Sequence, residues 1–291
     1  MNRQPEKGKV GVLLSQIDGT SLTEDCIKSL INVDYKNMEI YVGDNVSKDY
    51  FHLKLLAKFP DINLITYLYR KSYCETFNYL AKIAIEDGCE FIFIVNNDTR
   101  NFSKNFFDVL IPEFDDKTVG MVGSSCFTYD GQVRQDLNSM KNKFGHSIIV
   151  PTEGFILRSE AWEDIGGFNE ELNIYTEDLA LQRDLISSGW KIISNNDVSF
   201  EHFAEATMSK MIFDSNYFRM RNVMYLFRYM DLPLQYRLQQ VIMWLNYNLR
   251  KAFNALKQGK VFLSLKILVY SFIGVFVGLF KKIKKSKLFN L

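Results

Sequence analysis

The stretch Phe91–Thr99, with the sequence FIFIVNNDT, decides the fold of this chain. Its first five residues are all apolar, which predicts a strand covered on both faces, as in a parallel sheet. The polar run Asn96–Thr99 begins where that strand ends. Because ligands of parallel sheets bind outside the carboxyl ends of the strands, we expect a functional edge of the sheet here.

Upstream of this strand, short apolar runs alternate with patterns of helical spacing. The predicted strands are Val10–Leu14, Glu39–Val42 and Ile62–Tyr67, and they lead into the polar segments Gln16–Asp18 and Asp44–Asp49. The predicted helices are Leu22–Ile31 with Thr23 as its N-cap, Phe51–Lys58, and Thr76–Glu86. This alternation predicts an α/β fold with a Rossmann-like, doubly wound and mostly parallel sheet flanked by helices.

The rest of the chain is less regular and ends in long helices. The predicted elements are a strand at Val119–Val122, a hairpin of Ser147–Val150 with Gly154–Arg158 around Pro151, helices at Ser159–Ile165 and Leu179–Ser188, a strand at Lys191–Ser194, and helices at Tyr217–Tyr229 and Tyr236–Lys257. We therefore expect a C-terminal helical extension after the sheet.

The formal net charge of +1 conceals two oppositely charged parts. Residues 1–202 hold 20 Lys or Arg against 31 Asp or Glu, whereas residues 203–291 hold 15 against 3. This division excludes an electrostatically uniform globule and predicts an acidic domain over residues 1–205 and a basic, apolar helical region over 206–291.

The four cysteines are scattered and form no C-x-x-C pair, which argues against a zinc site. The segment Met1–Lys9 is polar and charged, so we expect no signal peptide before the first apolar run. We therefore expect four buried free thiols and a cytoplasmic protein.

Asp98 and His202 are candidate metal ligands. A carboxylate at the mouth of a parallel sheet can hold Mg²⁺ or Mn²⁺ against a phosphate group. The alternative for Asp98 is an Asx turn that ends the strand. His202 follows the strand-like run Val198–Phe200, and the alternative is a buried histidine with its hydrogen bonds satisfied.

A second group of candidates is Thr176-Glu177-Asp178, which stands where a helix begins. Thr176 could cap that helix, and one of the two carboxylates could point into a cleft as a general base. Acidic residues are also favoured in the first turn of any helix, so both interpretations remain open.

Taken together and in this order, these residues resemble the motifs of the family 2 glycosyltransferases, which have a GT-A fold and include bacterial rhamnosyltransferase-like enzymes. The resemblance runs from Val10 to His202 and is looser through about residue 230. The matching segments are Asp44–Asp49 (D-N-x-S-x-D), Asn78, Val95–Thr99 (L-N-x-D-T, a degenerate D-x-D), Gly166–Glu170 (G-G-F-D-E), Glu177-Asp178 with Arg183 (E-D-x-x-x-x-R), Gly189-Trp190, and His202.

The resemblance implies a role for each matching residue. It implies that Asp44 binds the nucleotide base, that Asn96 and Asn78 contribute to the donor site, and that Asp98 binds a divalent cation, Mn²⁺ or Mg²⁺. It implies that His202 is a further ligand of the metal or the diphosphate. Asp178 would be the catalytic base of an inverting transfer, with Glu177 and Arg183 as secondary candidates.

Three segments depart from the family's pattern. Leu14–Asp18 replaces a stretch that contains proline and tyrosine, and Asn96 replaces the first aspartate of the D-x-D form. The segment Tyr69–Glu75 lacks the usual glycines, although Arg70 or Lys71 could still meet the donor diphosphate. These departures leave the reaction type intact and the donor sugar undefined.

The tail combines an apolar segment with a cluster of cations. Val261–Phe280 contains one charged residue, Lys266, and five lysines follow it within residues 281–287. This pattern predicts a helix lying on an anionic membrane surface. The alternatives are a helix packed on the catalytic domain or in a homo-oligomer, and a membrane-spanning helix.

The sequence thus predicts an inverting, metal-dependent glycosyltransferase at the inner face of the cell membrane. It would transfer a sugar from a nucleotide-sugar donor to a glycan or lipid-linked acceptor in bacterial surface polysaccharide synthesis. The alternatives are a catalytically silent module that binds nucleotide sugars or acts as a scaffold, and a nucleotidyltransferase. Nucleic acid is not an expected partner, because aromatic residues interrupt the basic ones and the body is acidic.

Overall fold

The computed structural model describes residues 8–18, 21–128, 153–203, 212–229 and 234–281. The predicted strand Ser147–Val150 lies outside the described residues, and so does the proposed hairpin turn at Pro151.

Eight described strands form one sheet. They are β1 (Val10–Gln16), β2 (Met38–Asp44), β3 (Asn63–Thr66), β4 (Phe91–Val95), β5 (Thr99–Arg100), β6 (Val119–Thr128), β7 (Gly154–Arg158) and β8 (Lys191–His202). Their order across the sheet is β3-β2-β1-β4-β7-β6-β8-β5.

The described helices fall into a group around the sheet and a C-terminal group. They are α1 (Ser21–Ile31), α2 (Phe51–Lys58), α3 (Tyr73–Glu86), α4 (Phe106–Leu110), α5 (Ser159–Ile165), α6 (Glu177–Ser187), α7 (Ile212–Tyr229), α8 (Leu234–Lys257) and α9 (Val261–Phe280). Short 3₁₀ helices follow α4 and precede α6, at Ile111–Asp115 and Glu170–Leu172.

The predicted α/β fold with a Rossmann-like sheet is confirmed. The strands β3, β2, β1 and β4 run parallel, and β6 runs parallel to β8. The other pairs are antiparallel: β7 with β4 and β6, and β5 with β8. Across the sheet, β4 is thus followed by the antiparallel β7, and β7 by the antiparallel β6. The sheet is therefore mixed after β4, where the strict alternation of strands and helices ends.

The core lies on both faces of the central strands. All five residues of β4 are buried, as the apolar run predicts. The ring of Phe93 packs against Phe106 and Phe107, with both pairs of ring centroids 5.4 Å apart. Burying one such side chain contributes about 1.5–3 kcal/mol, so β4 anchors the strand ends that follow it.

Several helix ends differ from the sequence predictions. Thr23 is not the N-cap of α1 but lies inside it, because the helix begins at Ser21. Helix α3 begins at Tyr73, where Ser72 and Glu75 form a reciprocal capping box. The hydroxyl of Thr176 is buried and has no hydrogen-bond partner among the described residues, so this side chain does not cap α6.

The cysteine prediction is confirmed, since Cys26, Cys74, Cys89 and Cys126 are all free and buried. Burial raises the pKa of the Cys26 thiol to about 12, which keeps it protonated and unreactive at neutral pH.

The described residues divide into two compact units. The first comprises those within Met1–Phe168 and Leu181–Ala204, and it contains the whole sheet. The second comprises those within Asn169–Ala180 and Glu205–Leu291, and it contains α7, α8 and α9. The proposed domain boundary at residue 205 stays a prediction.

Small residues govern the packing of the helices in the second unit. A Cβ atom on Gly274 would lie 2.5 Å from the carbonyl oxygen of Tyr217 on α7, and one on Gly278 would lie 2.4 Å from that of Arg221. Both glycines are therefore required for α9 to approach α7 this closely. Within the described residues, α9 is the one helix whose length and composition would allow it to cross a membrane.

Candidate active site

Polar side chains collect at the carboxyl ends of the parallel strands in the first unit. Asp44 is the last residue of β2, and Asn96–Asp98 follow β4. Both strands flank β1, which ends at Gln16. The parallel register therefore brings these chain segments to one edge of the sheet, as the sequence predicts.

Asp44 is only 2% exposed and is contacted by residues from the end of β1, the loop after β2 and the start of α2. The side-chain amide of Gln16 donates a hydrogen bond to Oδ1 of Asp44. The backbone N–H of Ser47 donates to Oδ2 at 3.3 Å, and Nδ1 of His52 lies 3.8 Å from the same oxygen. Sequence reasoning assigned no function to Gln16 and no partner to His52, and both contribute to the surroundings of this carboxylate.

A reciprocal pair of hydrogen bonds joins the loops after β2 and β3. The amide of Asn45 donates to the carbonyl oxygen of Lys71 at 2.8 Å and accepts from its N–H at 2.8 Å. The Lys71 ammonium lies 3.1 Å from the hydroxyl of Tyr69. Nη2 of the exposed Arg70 lies 3.6 Å from Oδ2 of Asp18. The two cations predicted to meet a diphosphate therefore lie on a loop fixed to the Asp44 segment.

Asp98 and His202 face each other although 104 positions separate them in the sequence. Nε2 of His202 lies 2.9 Å from Oδ1 of Asp98, and each residue is 6% exposed. The antiparallel pairing of β5 with β8 sets this register, because Thr99 lies opposite His202. The N–H of Phe203 donates to the carbonyl oxygen of Asp98 at 2.9 Å, which extends the pairing.

The other residues of the polar run are fixed by different neighbours. The carbonyl oxygen of Asn96 accepts from the Thr99 hydroxyl at 2.8 Å, and its N–H donates to the carbonyl oxygen of Glu153 at 2.9 Å. The amide of Asn97 donates to the hydroxyl of Thr23 at 2.8 Å. Thr23 thus supports the end of β4 from inside α1. Glu153 is a buried carboxylate that sequence reasoning missed, because the antiparallel β4–β7 pairing brings it beside Asn96.

The pair of Asp98 and His202 is compatible with a divalent cation. Within the described residues no group of three or more His, Cys, Asp or Glu side chains could hold a metal ion. Mg²⁺ is usually bound by one or two carboxylates together with substrate phosphates, and imidazole nitrogen is a common transition-metal ligand. A carboxylate beside an imidazole at a strand end is such a partial ligand set, which donor phosphates could complete.

Asn78 uses both ends of its amide on the backbone of Phe168. Its Nδ2 donates to the carbonyl oxygen of Phe168 and its Oδ1 accepts from the N–H, both at 2.9 Å. Phe168 follows Gly166 and Gly167, which both adopt left-handed backbone conformations. Asn78 therefore fixes the G-G-F turn, and its role in donor binding stays a prediction.

Glu177 and Asp178 begin α6 and belong to the second unit, where they have different surroundings. Glu177 is buried, and its Oε2 has no hydrogen-bond partner within the described residues. Burial, with a smaller contribution from the Asp178 charge, raises the pKa of Glu177 well above its usual 4.5. Asp178 is half-buried, and its Oδ1 accepts from the N–H of Leu179 at 2.7 Å.

Two residues of α7 hold the loop that leads into α6. Nη2 of Arg221 donates to the carbonyl oxygens of Glu171 and Leu172 at 2.6 and 2.9 Å. The amide of Asn222 contacts the carbonyl oxygens of Leu172, Ile174 and Tyr175 at 2.7–2.9 Å. The sequence analysis did not identify Arg221 or Asn222 as functional residues. The feature that could have indicated them is that both are polar residues in a helix rich in aromatic and other apolar residues.

An aromatic cage around Arg219 provides a further contact to the same loop. The guanidinium of Arg219 lies 4.4 Å from the ring centroid of Tyr175, 4.6 Å from that of Trp244 and 4.8 Å from that of Tyr247. Cation–π contacts of this kind are strongest when desolvated, and Arg219 is only 3% exposed. The backbone before Glu177 is thus tied to α7 and α8.

Arg183 lies in the part of α6 that belongs to the first unit. Its Nη2 contacts Oδ1 of the neighbouring Asp184. The following turn has Gly189 in a left-handed conformation, and the indole N–H of Trp190 donates to Asp164 at 2.9 Å. The predicted role of Arg183 at the site stays a prediction.

The sheet order, the polar strand ends and the C-terminal helices define a GT-A fold, the α/β fold of nucleotide-sugar-dependent glycosyltransferases. Among solved structures, the chain is similar to the mannosyltransferase PcManGT from Pyrobaculum calidifontis in complex with GDP-Man and Mn²⁺. The TM-score is 0.63 at 16% identity, covering 96% of this chain and 89% of that one. It is also similar to S. aureus TarS 1-349, with a TM-score of 0.62 at 16% identity over 93% of this chain and 81% of that one. These likenesses show the fold.

The sequence comparisons are weaker. No protein-family model matches the chain. The chain is 24% identical over 234 residues to the O-antigen biosynthesis protein RfbC from Myxococcus xanthus, which covers 70% of this chain. It spans only 18% of the length of that relative. The comparison therefore links the chain to a protein of polysaccharide synthesis but does not define its reaction.

Proposed function

We propose that this protein is a glycosyltransferase that moves a sugar from a nucleotide-sugar donor to a glycan or lipid-linked acceptor in bacterial surface polysaccharide synthesis. The observation that carries the proposal is the contact between Asp98 and His202 at the carboxyl end of β4 in a GT-A fold. Two structural neighbours support a nucleotide-sugar donor: PcManGT is in complex with GDP-Man and Mn²⁺, and a second structure of TarS 1-349 is in complex with UDP-GlcNAc.

The donor would bind at the ends of β2 and β4. Asp44 would accept hydrogen bonds from the nucleotide base, and Asn96 would lie near the ribose. Arg70 and Lys71 would contribute positive charge toward the diphosphate. Asn78 would act on the donor site through the turn at Phe168, whose backbone it binds.

Asp98 and His202 would hold a divalent cation, Mn²⁺ or Mg²⁺. When bound there, the cation supplies neutralisation of the negative charge that develops on the departing diphosphate. Nε2 of His202 and Oδ1 of Asp98 lie 2.9 Å apart, so the two proposed ligand atoms are side by side.

Asp178 would be the general base. It would take the proton of the acceptor hydroxyl that attacks the anomeric carbon from the face opposite the leaving group, and this single displacement inverts the configuration. Glu177 is less suited to this role, because its side chain is buried and less accessible to an acceptor hydroxyl. Asp178 is half-buried and therefore retains access to solvent. Arg183 is kept as a secondary candidate.

We place the protein in the cytoplasm, peripherally bound to the inner face of the cell membrane. Nucleotide sugars are cytoplasmic metabolites, and a lipid-linked acceptor would be presented at that surface. The basic, apolar region over residues 206–291 supports this location.

A donor screen tests the proposal. Purified protein is incubated with Mn²⁺ or Mg²⁺, a panel of nucleotide sugars and a bacterial lipid extract, and the released nucleotide is measured. We expect turnover with one donor and a loss of about 10²–10⁴-fold in Asp178→Asn, since general-base catalysis has that magnitude. The exposed Glu160→Gln on α5 serves as the control and should keep full activity.

Three outcomes contradict the proposal. The first is no turnover with any donor, together with calorimetric binding of a nucleotide sugar, which would favour the silent binding module. The second is turnover that Asp178→Asn leaves unchanged, which would remove the general base. Release of pyrophosphate instead of nucleotide would indicate a nucleotidyltransferase.

A further inference from the structure

Helix α9 has large apolar side chains on the face that points away from the protein. Phe262, Phe272, Phe276 and Phe280 are each more than half exposed, and Phe272 is 72% exposed. Soluble monomers rarely expose contiguous apolar patches larger than a few hundred Å². A row of four exposed rings along one helix therefore indicates a surface that binds an apolar partner.

The inward face of the same helix carries small residues. Ser264, Ser271, Gly274 and Gly278 are its buried residues besides Ile267. The glycines allow the backbone of α9 to approach α7, and Ser271 accepts a hydrogen bond from Asn248 of α8 at 3.0 Å. A helix on a water-soluble domain normally has its large apolar residues on the packed face, so the reversed arrangement indicates that the exposed face of α9 contacts an apolar phase.

Helix α8 carries an exposed apolar stripe of its own. Leu238, Ile242, Leu245, Leu249 and Phe253 are exposed and recur every three or four residues, so they form one stripe. Exposed polar residues, among them Asn246, Arg250 and Lys257, occupy the neighbouring face. This is the pattern of a helix lying in the plane of a membrane interface.

The charge of this region identifies the partner. Residues 232–291 contain 11 Lys or Arg and no Asp or Glu. Cations around an apolar face complement an anionic lipid surface, and each one near that surface contributes to binding. A second copy of the chain would instead bring two uniformly basic surfaces together, which like charges oppose.

We propose that α8 and α9 form one membrane-binding surface, in which the outward face of α9 and the α8 stripe enter the acyl-chain boundary and the flanking cations contact anionic headgroups. The inference specifies the membrane partner of the proposed function, and it assigns to α8 a role that the tail sequence alone does not reveal.

The contacts of α9 favour a helix that lies on the membrane over one that spans it. Its inward face packs on α7, and Arg228 of α7 donates to the carbonyl oxygen of Gly278 at 3.1 Å. Helix α7 also carries the buried Arg219 and Arg221, which hold the loop before Glu177. A transbilayer α9 would draw these guanidinium groups into hydrocarbon, where charged side chains are costly.

Vesicle flotation of the full chain tests this surface without a sugar donor. The vesicles contain phosphatidylcholine alone or with phosphatidylglycerol. We expect flotation with the anionic vesicles and weaker flotation at high salt, because salt screens the cations. The double variant Phe272→Ser/Phe276→Ser should lower the partition coefficient by about tenfold or more, since it removes two inserted rings.

A matched control removes two exposed apolar side chains elsewhere. Ile31→Ser/Leu53→Ser changes residues of α1 and α2 that are 52% and 55% exposed, and it should float like the wild type. Flotation of the phenylalanine variant like the wild type, or of no protein with either vesicle, would overturn the proposal. So would a wild-type dimer that the phenylalanine variant dissociates. A thermal transition for each variant confirms folding.

Protease treatment of the vesicle-bound protein tests the orientation. A C-terminal tag should remain cleavable from outside sealed vesicles, whereas protection of the tag would indicate a spanning α9 and overturn the interfacial arrangement. Vesicle binding and donor turnover are measured separately. Binding without turnover would therefore leave this inference standing and count against the proposed function, and turnover without binding would do the reverse.

Discussion

The sharpest test of the second unit is the substitution Asn222→Ala. Asn222 is fully buried on α7, and its Nδ2 lies 2.8, 2.9 and 2.7 Å from the carbonyl oxygens of Leu172, Ile174 and Tyr175. These carbonyls belong to the loop that leads into Glu177 and Asp178. Truncation to alanine removes this donor from all three carbonyls, of which Leu172 keeps its bond from Arg221, and it also removes the Oδ1 that accepts from Nε of Arg221 at 2.8 Å.

The magnitude follows from the donors available. A side-chain amide has two N–H groups, so the three contacts amount to two full hydrogen bonds, one of them shared. Each contributes about 0.5–1.5 kcal/mol net, and buried acceptors left unsatisfied add to the cost. We expect Asn222→Ala to lower the free energy of unfolding by about 2–3 kcal/mol.

The loop should also change its conformation. Asn173, Tyr175 and Thr176 have φ angles of 64°, 70° and 67°, and a left-handed conformation costs a non-glycine residue about 1–2 kcal/mol. The hydrogen bonds of Asn222 offset that strain. Without them the loop can relax, and the proposed base, Asp178, would lose its fixed position. We therefore expect kcat to fall while KM for the donor stays unchanged.

Urea denaturation and steady-state kinetics of nucleotide release measure the two effects. The control is Asn248→Ala, which truncates another buried asparagine of the same unit, one that contacts Ser271 of α9 and not the loop. It should lose stability and keep kcat. Equal losses of kcat in both variants would refute a specific role for Asn222, and an unchanged stability of Asn222→Ala would refute the hydrogen-bond argument.

Two further predictions concern stability. Above pH 4.5 the raised pKa of Glu177 means that the folded chain holds a proton that the unfolded chain releases, so the contribution of this carboxyl to stability is complete below pH 4.5 and is lost as the pH rises through the raised pKa. Urea denaturation at several pH values measures this loss as a fall in the free energy of unfolding. The fall should be smaller in Glu177→Gln than in the wild type, and the exposed Glu160→Gln should leave it unchanged. The same pH dependence in Glu177→Gln as in the wild type would contradict the role of the buried carboxyl. Gly278→Ala would place a Cβ 2.4 Å from the carbonyl oxygen of Arg221, so it should cost about 1–3 kcal/mol in thermal or urea unfolding. Ser264→Ala on the same face adds no atom and should stay within about 1 kcal/mol, and a Gly278→Ala protein as stable as the wild type would contradict the close helix contact.

The elements predicted best are those whose signal is local. Phe91–Val95, Phe51–Lys58 and Val261–Phe280 have the predicted bounds. Phe91–Val95 is a short continuous apolar run and Val261–Phe280 a long one, so length alone separates the strand from the helix. Thr23 was predicted wrongly as an N-cap because the helix begins two residues earlier, at Ser21, so Thr23 lies in the first turn, where its hydroxyl accepts a hydrogen bond from Asn97.

The contacts of the candidate site depend on pairing between distant segments. The position of Asp98 after a buried strand was visible in the sequence, but its contact with His202 requires β5 to lie antiparallel to β8. A two-residue strand has no periodicity from which this register could be read. The same applies to Glu153, whose place beside Asn96 follows from the β4–β7 pairing.

The segment Leu14–Asp18, at the end of β1, differs from the glycosyltransferase motif that the chain resembles, yet it still contacts Asp44. Gln16 stands in the segment that lacks the usual proline and tyrosine, and its amide donates to Oδ1 of Asp44. The N–H of Ser47 donates to Oδ2. A carboxylate oxygen can accept two hydrogen bonds, so each oxygen of Asp44 could accept a second one from the N–H groups of a nucleotide base. Because Gln16 orients the carboxylate without consuming that capacity, the altered segment is compatible with the donor site that Asp44 is proposed to form.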